Sequence, residues 1–302
     1  MSMDAVYSYI DCMNIKKFNI NPETIDSRTS VRSYSGQPLN SADRRLVESA
    51  IASFGPCPFG TRPRLMLVEP GTEGELGSGR IGTYGIIQNA PAFIVGATTP
   101  GPFVFADFGY ALEWVILAAT ANDLGTCWLG GTFDRSRLME TNRMSDEEII
   151  PAVTPIGEPS ERRTLVDSAM RLLAGSRRRH PWTDLFFNGT WNRPLEEADA
   201  GVWAVALSAV RAGPSASNKQ PWRIVRTGRA TEPEFHLFLD EDKPYNNVIR
   251  GVRIQEIDIG IAMRHFEVAA LSSGLSGSWR RLEEPPVSYA APLQYYASWQ
   301  IT

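Results

Sequence analysis

ADFGYALEWVILAATANDLGTCWLGG, residues 106–131, is the stretch whose reading decides the fold. Phe108, Ala111, Leu112, Val115 and Ala119 fall at i, i+3, i+4, i+7 and i+11, the spacing that keeps one helical face buried. A constant shift of 151 residues carries this helix onto Asp258–Trp279. It matches Asp107 with Asp258, Gly109 with Gly260, Ala111 with Ala262, Ala118 with Ala269, Ala119 with Ala270, Leu124 with Leu275 and Trp128 with Trp279. Ile259, Ala262, Met263, Phe266 and Ala270 then share the corresponding face. One chain thus holds two helices of one design.

The repetition reaches beyond the helix. GPCPFGTRPRLMLV (55–68) aligns without a gap on GPSASNKQPWRIVR (213–226) at a shift of 158, and PLNSAD (38–43) echoes PLEEAD (194–199) at a shift of 156. The three echoes keep their order, which points to a long-period duplication.

Outward from these segments, 302 residues with 43% hydrophobic content suffice for a sizeable core. A net charge of −4 offers no basic surplus for a nucleic-acid backbone or an anionic membrane surface. Three widely spaced cysteines, the lack of a charged-then-apolar leader and the lack of a membrane-length apolar run point to a reducing cytoplasm. The three histidines, His180, His236 and His265, do not pair at ligand spacing, so no metal site is expected.

In chain order, residues 1–26 read as an arm with a short amphipathic helix around Val6–Met13. A helix is expected from Ser41, with Leu46, Val47, Ala50 and Ile51 on one side and Gly55-Pro56 as its stop. Strands are expected at Arg64–Glu69, Ala92–Ala97, Cys127–Leu129, Val153–Ile156, Trp222–Arg226, Phe235–Leu239 and Tyr295–Ile301. A Gly-rich loop is expected at 71–85 and a helix at Glu161–Leu173. The span 174–194, containing GSRRRHPWTDLFFNGTWNRP, reads as a basic and aromatic connector.

Candidate chemistry rests on four features. Arg28 and Arg32 flank Thr29 and Ser30; on a helical turn they would offer two guanidinium forks and two hydroxyls to one anion, such as a phosphate. The same RTSVR also reads as an exposed helix start. Arg177, Arg178 and Arg179 form a second cluster, readable as a solvated basic turn. PSASN (214–218) places hydrogen-bonding side chains between a helix and a strand, yet Pro, Ser and Asn also form plain turns. Gly130-Gly131 is either a bend or a place where backbone N–H groups approach a flat ligand.

RTSVRSY (28–34), GPSASNKQPW (213–222) and DLGTCWLGG (123–131) together resemble the signature segments of the FMN-dependent nitroreductase family. The likeness spans nearly the whole chain as two copies, and so is similar to the fused-dimer branch of that family. The resemblance implies an α+β, nitroreductase-like fold. In it, two tandem halves form an internal pseudo-dimer of mixed, mainly antiparallel sheets flanked by helices. The halves are placed at 27–180 and 181–302, after the arm 1–26. It implies that Arg28, Thr29, Ser30 and Arg32 bind flavin, with Arg28 on the phosphate and Arg32 on the ring or ribityl chain, and that Arg177 and Arg179 close on the same phosphate. It implies that the Leu129, Gly130, Gly131 turn turns a backbone N–H to flavin N5, and that Pro214, Ser215, Ala216 and Asn218 complete the pocket from the second half. Where the family places Asn and Lys near the pyrimidine, this chain has Gly82-Thr83-Tyr84-Gly85, so backbone groups are expected to replace them.

The copies are unequal: Gly60 stands where the second copy has Asn218, no R-x-S-x-R segment precedes Pro194, and no late arginine cluster follows Trp279. One FMN per chain is therefore expected, with NAD(P)H as co-substrate and a nitroaromatic or quinone as the small-molecule acceptor, reduced by a ping-pong scheme that needs no acid or base residue. The resemblance leaves open a flavin-binding or degenerate non-catalytic member, and other reactions of the fold such as dehalogenation or flavin fragmentation. A monomer completed by its internal pseudo-dimer is expected, with further dimerisation open.

Overall fold

The structure is a computed structural model that describes residues 13–69, 86–131, 133–142, 144–161, 178–229 and 231–301. The expected helices at 6–13 (except residue 13) and 161–173 (except residue 161), the Gly-rich loop at 71–85, the segment 82–85 and Arg177 lie outside the described residues.

Two long helices form the centre. Helix α3 (Val104–Thr120) is buried from Val104 to Ala119, and α8 (Ile254–Ser272) is buried from Gln255 to Leu271. The periodicity led us to expect one buried face; both helices are instead enclosed all round, because each packs on the other and on flanking elements. Their crossing depends on two glycines. A Cβ on Gly260 would lie 1.9 Å from Ala106 O, and one on Gly109 would lie 2.2 Å from Ile257 O. Only a residue without a side chain permits such an approach, and the two glycines are the pair matched at the shift of 151.

Full enclosure also buries polar groups, and several of these are paired. The Arg264 guanidinium stacks 3.5 Å from the Tyr110 ring centroid and donates to Phe54 O and Tyr110 O, while Tyr110 Oη donates to Glu267 Oε2 at 2.6 Å. Glu113 accepts from Trp128 Nε1 at 2.6 Å and lies 2.8 Å from His265 Nε2. His265 Nδ1 lies 2.9 Å from the Ala209 carbonyl, which can only accept, so Nδ1 carries a proton.

Around this pair the chain builds two sheets. The first joins β1 (Arg64–Val68), β2 (Ala92–Ala97), β3 (Gly125–Thr126) and β4 (Val153–Gly157) in the order β1-β2-β4-β3. The second has six strands: β5 (Phe186–Asn188), β6 (Thr190–Pro194), β7 (Trp222–Arg229), β8 (Glu232–Asp240), β9 (Ser278–Arg280) and β10 (Leu293–Gln300), in the order β6-β5-β7-β8-β10-β9. All pairings are antiparallel except β5 with β7. The run β7-β8-β10-β9 repeats the order of β1-β2-β4-β3, and α3 and α8 occupy the same place in each series.

Three sequence expectations are corrected. The strand placed at Cys127–Leu129 is Gly125–Thr126; Leu129 makes only an isolated bridge to Val153. The connector at 174–194 holds a short helix α5 (Trp182–Leu185) and the hairpin β5/β6, which turns at Gly189 with φ 75°. Strand β9 was not foreseen at all. Further helices among the described residues are α1 (Pro22–Ser27), α2 (Ser41–Ala52), α4 (Arg135–Thr141), α6 (Ala204–Ala212) and α7 (Lys243–Asn246), with residues 13–18 helical and tighter 3-10 helices at Glu197–Trp203 and Ala216–Asn218. Asn40 caps α2 by accepting from the N–H groups of Ala42 and Asp43. Helix α1 starts from a capping box made by Asn21 and Thr24, and the preceding segment is anchored by Phe18 edge-on to Trp114 at 5.7 Å.

Candidate functional site

Arg28 caps the C-terminus of α1 and leaves the helix with ψ 123°. From there residues 28–34 run extended, not as the helical turn expected: Val31 N donates to Thr126 O at 2.8 Å, Gln88 N to Arg32 O at 2.8 Å and Tyr34 N to Gln88 O at 3.0 Å. In an extended chain alternate residues share a face, so Arg28, Ser30 and Arg32 still project together. All three, with Thr29, line a cavity of about 460 Å³. Arg179 joins them, with Ser208, Arg211 and Ala212 of α6 and with Ile25 and Asp26 of α1, so one carboxylate stands among four guanidinium groups.

Four guanidinium groups around one space disfavour one another. Burial, then Arg28, then Arg211 hold the Arg179 guanidinium below its ordinary pKa. Arg28 Nε is buried without a hydrogen-bond partner among the described residues. A cradle of cations with one donor unsatisfied fits a multiply charged anion such as a phosphate ester.

The loop after α6 is fastened to this cradle. Arg179 donates to Asn218 Oδ1 at 3.1 Å and to Ala212 O at 2.9 Å, while Asn218 Nδ2 donates to Arg178 O at 2.8 Å. Gln220 accepts from His180 N at 2.9 Å, and its own N–H donates to Ser215 Oγ at 2.8 Å. Ser217, Asn218 and Gln220 have φ of 48°, 55° and 48°. Three non-glycine residues in the left-handed region within four positions mark a strained loop held by its surroundings. Pro214 is half-buried at its start.

Asp258 of α8 supports the loop from below by accepting from Ala216 N at 2.9 Å. Its first-half counterpart Asp107 accepts from Phe59 N at 3.0 Å and from Thr61 N at 2.9 Å. Burial raises the pKa of Asp258 well above the ordinary carboxylate value, since only one hydrogen bond opposes it. A pKa raised on folding means that the native state holds the proton more tightly than the unfolded chain. Stability is then full below the ordinary carboxylate pKa and falls as pH rises above it. Asp258→Asn keeps the acceptor for Ala216 and removes the titration. We expect it to flatten the decline in Tm between about pH 4 and 7 and to leave Tm at pH 7 equal or higher; an unchanged slope with a lower Tm at pH 7 would contradict this.

Leu129, Gly130 and Gly131 stand apart from the cavity lining. Leu129 N–H is committed to Val153 O at 2.9 Å, which leaves the glycines to supply any N–H for a ligand. The Gly130 carbonyl accepts from Arg135, whose guanidinium also reaches Ile150 O at 3.0 Å and Pro151 O at 3.2 Å. A Cβ on Gly130 would lie 3.2 Å from Ile254 Cδ1, one helical turn before Asp258.

A family model described as "Putative TM nitroreductase" matches residues 21–270. The chain belongs to this nitroreductase family. It is accordingly a nitroreductase-like oxidoreductase by family. Among solved structures, a Thermotoga maritima protein described in the same terms is 17% identical, with a TM-score of 0.55 over 93% of this chain and 92% of its own. A nitroreductase family protein of Clostridium novyi NT is 19% identical over 46% of this chain and 84% of its own, with a TM-score of 0.36. An FMN-dependent nitroreductase of Clostridium difficile is 18% identical over 47% and 88%, with a TM-score of 0.38. No curated protein matches the sequence.

For this nitroreductase-family chain, the structure brings Arg28, Thr29, Ser30, Arg32 and Arg179 to one cavity and ties Asn218 to Arg179. It adds Asp26, Ser208 and Arg211 to the lining and Gln220 to the loop that closes it, none of them expected from the sequence. Gln220 stood in the quoted QPW, and Arg211 lies two residues before Gly213-Pro214, so nearness to the loop was the available signal. Among the described residues no helix is long and apolar enough to cross a membrane, and no group of His, Cys, Asp and Glu is arranged to hold a metal.

Proposed function

We propose that the chain is an FMN-dependent NAD(P)H oxidoreductase that holds one FMN in the seam between halves at 27–180 and 181–302. The observation that carries this reading is the cradle of Arg28, Arg32, Arg179 and Arg211, with Arg28 Nε buried and without a partner among the described residues and Arg179 latched to the loop 214–218. The matching strand orders of the two sheets support the division into halves.

In this reading Arg28, Arg179 and Arg211 hold the phosphate, and Thr29, Ser30 and Arg32 face the phosphate and ribityl chain. Gly130 and Gly131 present backbone N–H groups to the ring, while Pro214, Ser215, Ala216 and Asn218 close it in from the second half. Bound FMN would supply hydride acceptance from NADH or NADPH and delivery to a nitroaromatic or quinone-type acceptor. The protein's part is placement and exclusion of water, and positive charge beside the cofactor favours its reduced, anionic form. No side chain is assigned a proton to move.

Titration of the purified, flavin-stripped protein with FMN is expected to saturate at one equivalent per chain. Anaerobic addition of NADH or NADPH should then bleach the yellow absorbance, and a quinone should restore it. A protein that retains no FMN, or whose bound FMN stays oxidised under either nucleotide, would sink this reading.

A further inference from the structure

The internal correspondence defines a second seam, related to the proposed one by exchanging the halves, and its contents differ. At the shift of 151, Gly130 corresponds to Arg281 and Ile254 to Phe103; at the shift of 158, Ser217 corresponds to Phe59 and Asn218 to Gly60. The neighbours are preserved across the exchange. Ile254 faces Gly130 in one seam, and in the other the Arg281 guanidinium lies 4.4 Å from the Phe103 ring centroid. Gly60 and Asn218 both take left-handed backbone, with φ of 82° and 55°. Asp107 and Asp258 support the two loops alike.

What fills the second seam is aromatic. Phe59 stacks on Phe103 with centroids 4.8 Å apart and planes 24° apart, and Tyr296 stands edge-on to both at 6.2 and 5.6 Å. Arg281 also donates to Tyr295 O and Tyr296 O, each at 2.8 Å, and its guanidinium lies 5.1 Å from the Tyr295 ring. A flat stack of two rings capped by a guanidinium has the chemistry of a bound planar heterocycle, supplied by the chain itself. The counterparts of the two early cradle arginines are not cations: the shift of 156 that aligns PLNSAD with PLEEAD carries Arg28 onto Asp184 and Arg32 onto Asn188.

We infer that Phe59, Phe103 and Arg281 are the residues that fix the cofactor stoichiometry at one, because their side chains occupy the ring space of the second seam. This rests on the reading that the first seam takes a flavin ring. Ser217, Ile254 and Gly130 of one seam are smaller than their counterparts Phe59, Phe103 and Arg281 in the other, so the asymmetry lies in these side chains as well as in the phosphate ligands.

The test gives the second seam the small residues of the first, in the variant Phe59→Ser/Phe103→Ile/Arg281→Gly, with riboflavin as a probe that needs no phosphate ligand. Binding is read by quenching of riboflavin fluorescence with the first seam saturated by FMN. The wild type is expected to take no riboflavin beyond its single FMN, and the opened variant one further equivalent per chain. Should the triple variant fail to fold by circular dichroism, the double variant Phe59→Ser/Arg281→Gly, which removes one ring of the stack and its guanidinium cap, is expected to take riboflavin at the second seam where the wild type takes none. The inference is overturned by a second flavin on the wild type, or by a folded opened variant that takes none. Absence of FMN from the first seam is read separately, in the wild-type FMN titration, and speaks to the proposed function instead.

Discussion

Gly260→Ala is expected to destabilise the fold by about 3 kcal/mol or more, at the upper end of what overpacking a core costs. In an exposed helix the same change would stabilise by roughly 1 kcal/mol, because alanine is the better helix former. The sign reverses here because the new methyl would lie 1.9 Å from Ala106 O and 2.6 Å from Tyr110 N, backbone atoms that have no rotamer to change. Helices α3 and α8 would have to move apart. Their separation would loosen the pairs that bridge them, Tyr110 with Glu267 and Glu113 with His265, each now fully or nearly fully removed from water. Asp107 and Asp258 travel with the same helices, so the loops they hold at Phe59–Thr61 and Ala216 would shift and FMN binding should weaken in parallel. Chemical denaturation followed by circular dichroism measures the first effect; a variant as stable as its parent would show that the crossing is looser than described. Gly109→Ala should act alike, since its added Cβ would meet Ile257 O at 2.2 Å.

That crossing shows how much of the fold the sequence carried. Gly109 and Gly260 fell into register through a repeat of apolar and small residues, and periodicity placed α2, α3, β2 and β4 within a residue or a few of their bounds. Such features are local: a buried face or a run of β-formers is written in the order of residues. Elements that exist through a distant partner were not legible. Phe186–Asn188 is three residues long and becomes a strand by pairing in parallel with Ile224–Arg226, so nothing in LFFNG marks it. Ser278–Arg280 likewise depends on β10. The extended course of Arg28–Arg32 is imposed by Thr126 and Gln88, far along the chain, whereas spacing alone allowed a helical turn. Arg211 lay on a helix of alanines and valines where its position beside Arg179 is decided by the packing of α6 against α1.

Arg28→Ala is expected to weaken FMN binding by roughly 10- to 100-fold, the loss of one charge-assisted contact worth about 1.5–3 kcal/mol, while leaving the apo protein as stable as before. The two halves of that expectation have one cause. Arg28 Nε has no partner among the described residues, so truncation breaks no hydrogen bond made by that atom, and Arg28 repels Arg179, so its removal relieves a like charge in the cradle. Arg179→Ala should cut FMN affinity comparably but also lower apo stability, because it abandons Ala212 O and Asn218 Oδ1 and frees a loop held in left-handed backbone. The double variant should lose less than the sum of the singles, since each guanidinium sets the field in which the other acts. Riboflavin isolates the phosphate: its affinity should hardly change in Arg28→Ala, so the ratio of FMN to riboflavin affinity should collapse. Calorimetric titration of both flavins, at low and raised salt, measures that ratio. If Arg28→Ala bound FMN as tightly as the parent, the phosphate would have to lie outside the cavity of Arg28, Arg32, Arg179 and Arg211, and the cations gathered there would need another anion to balance them.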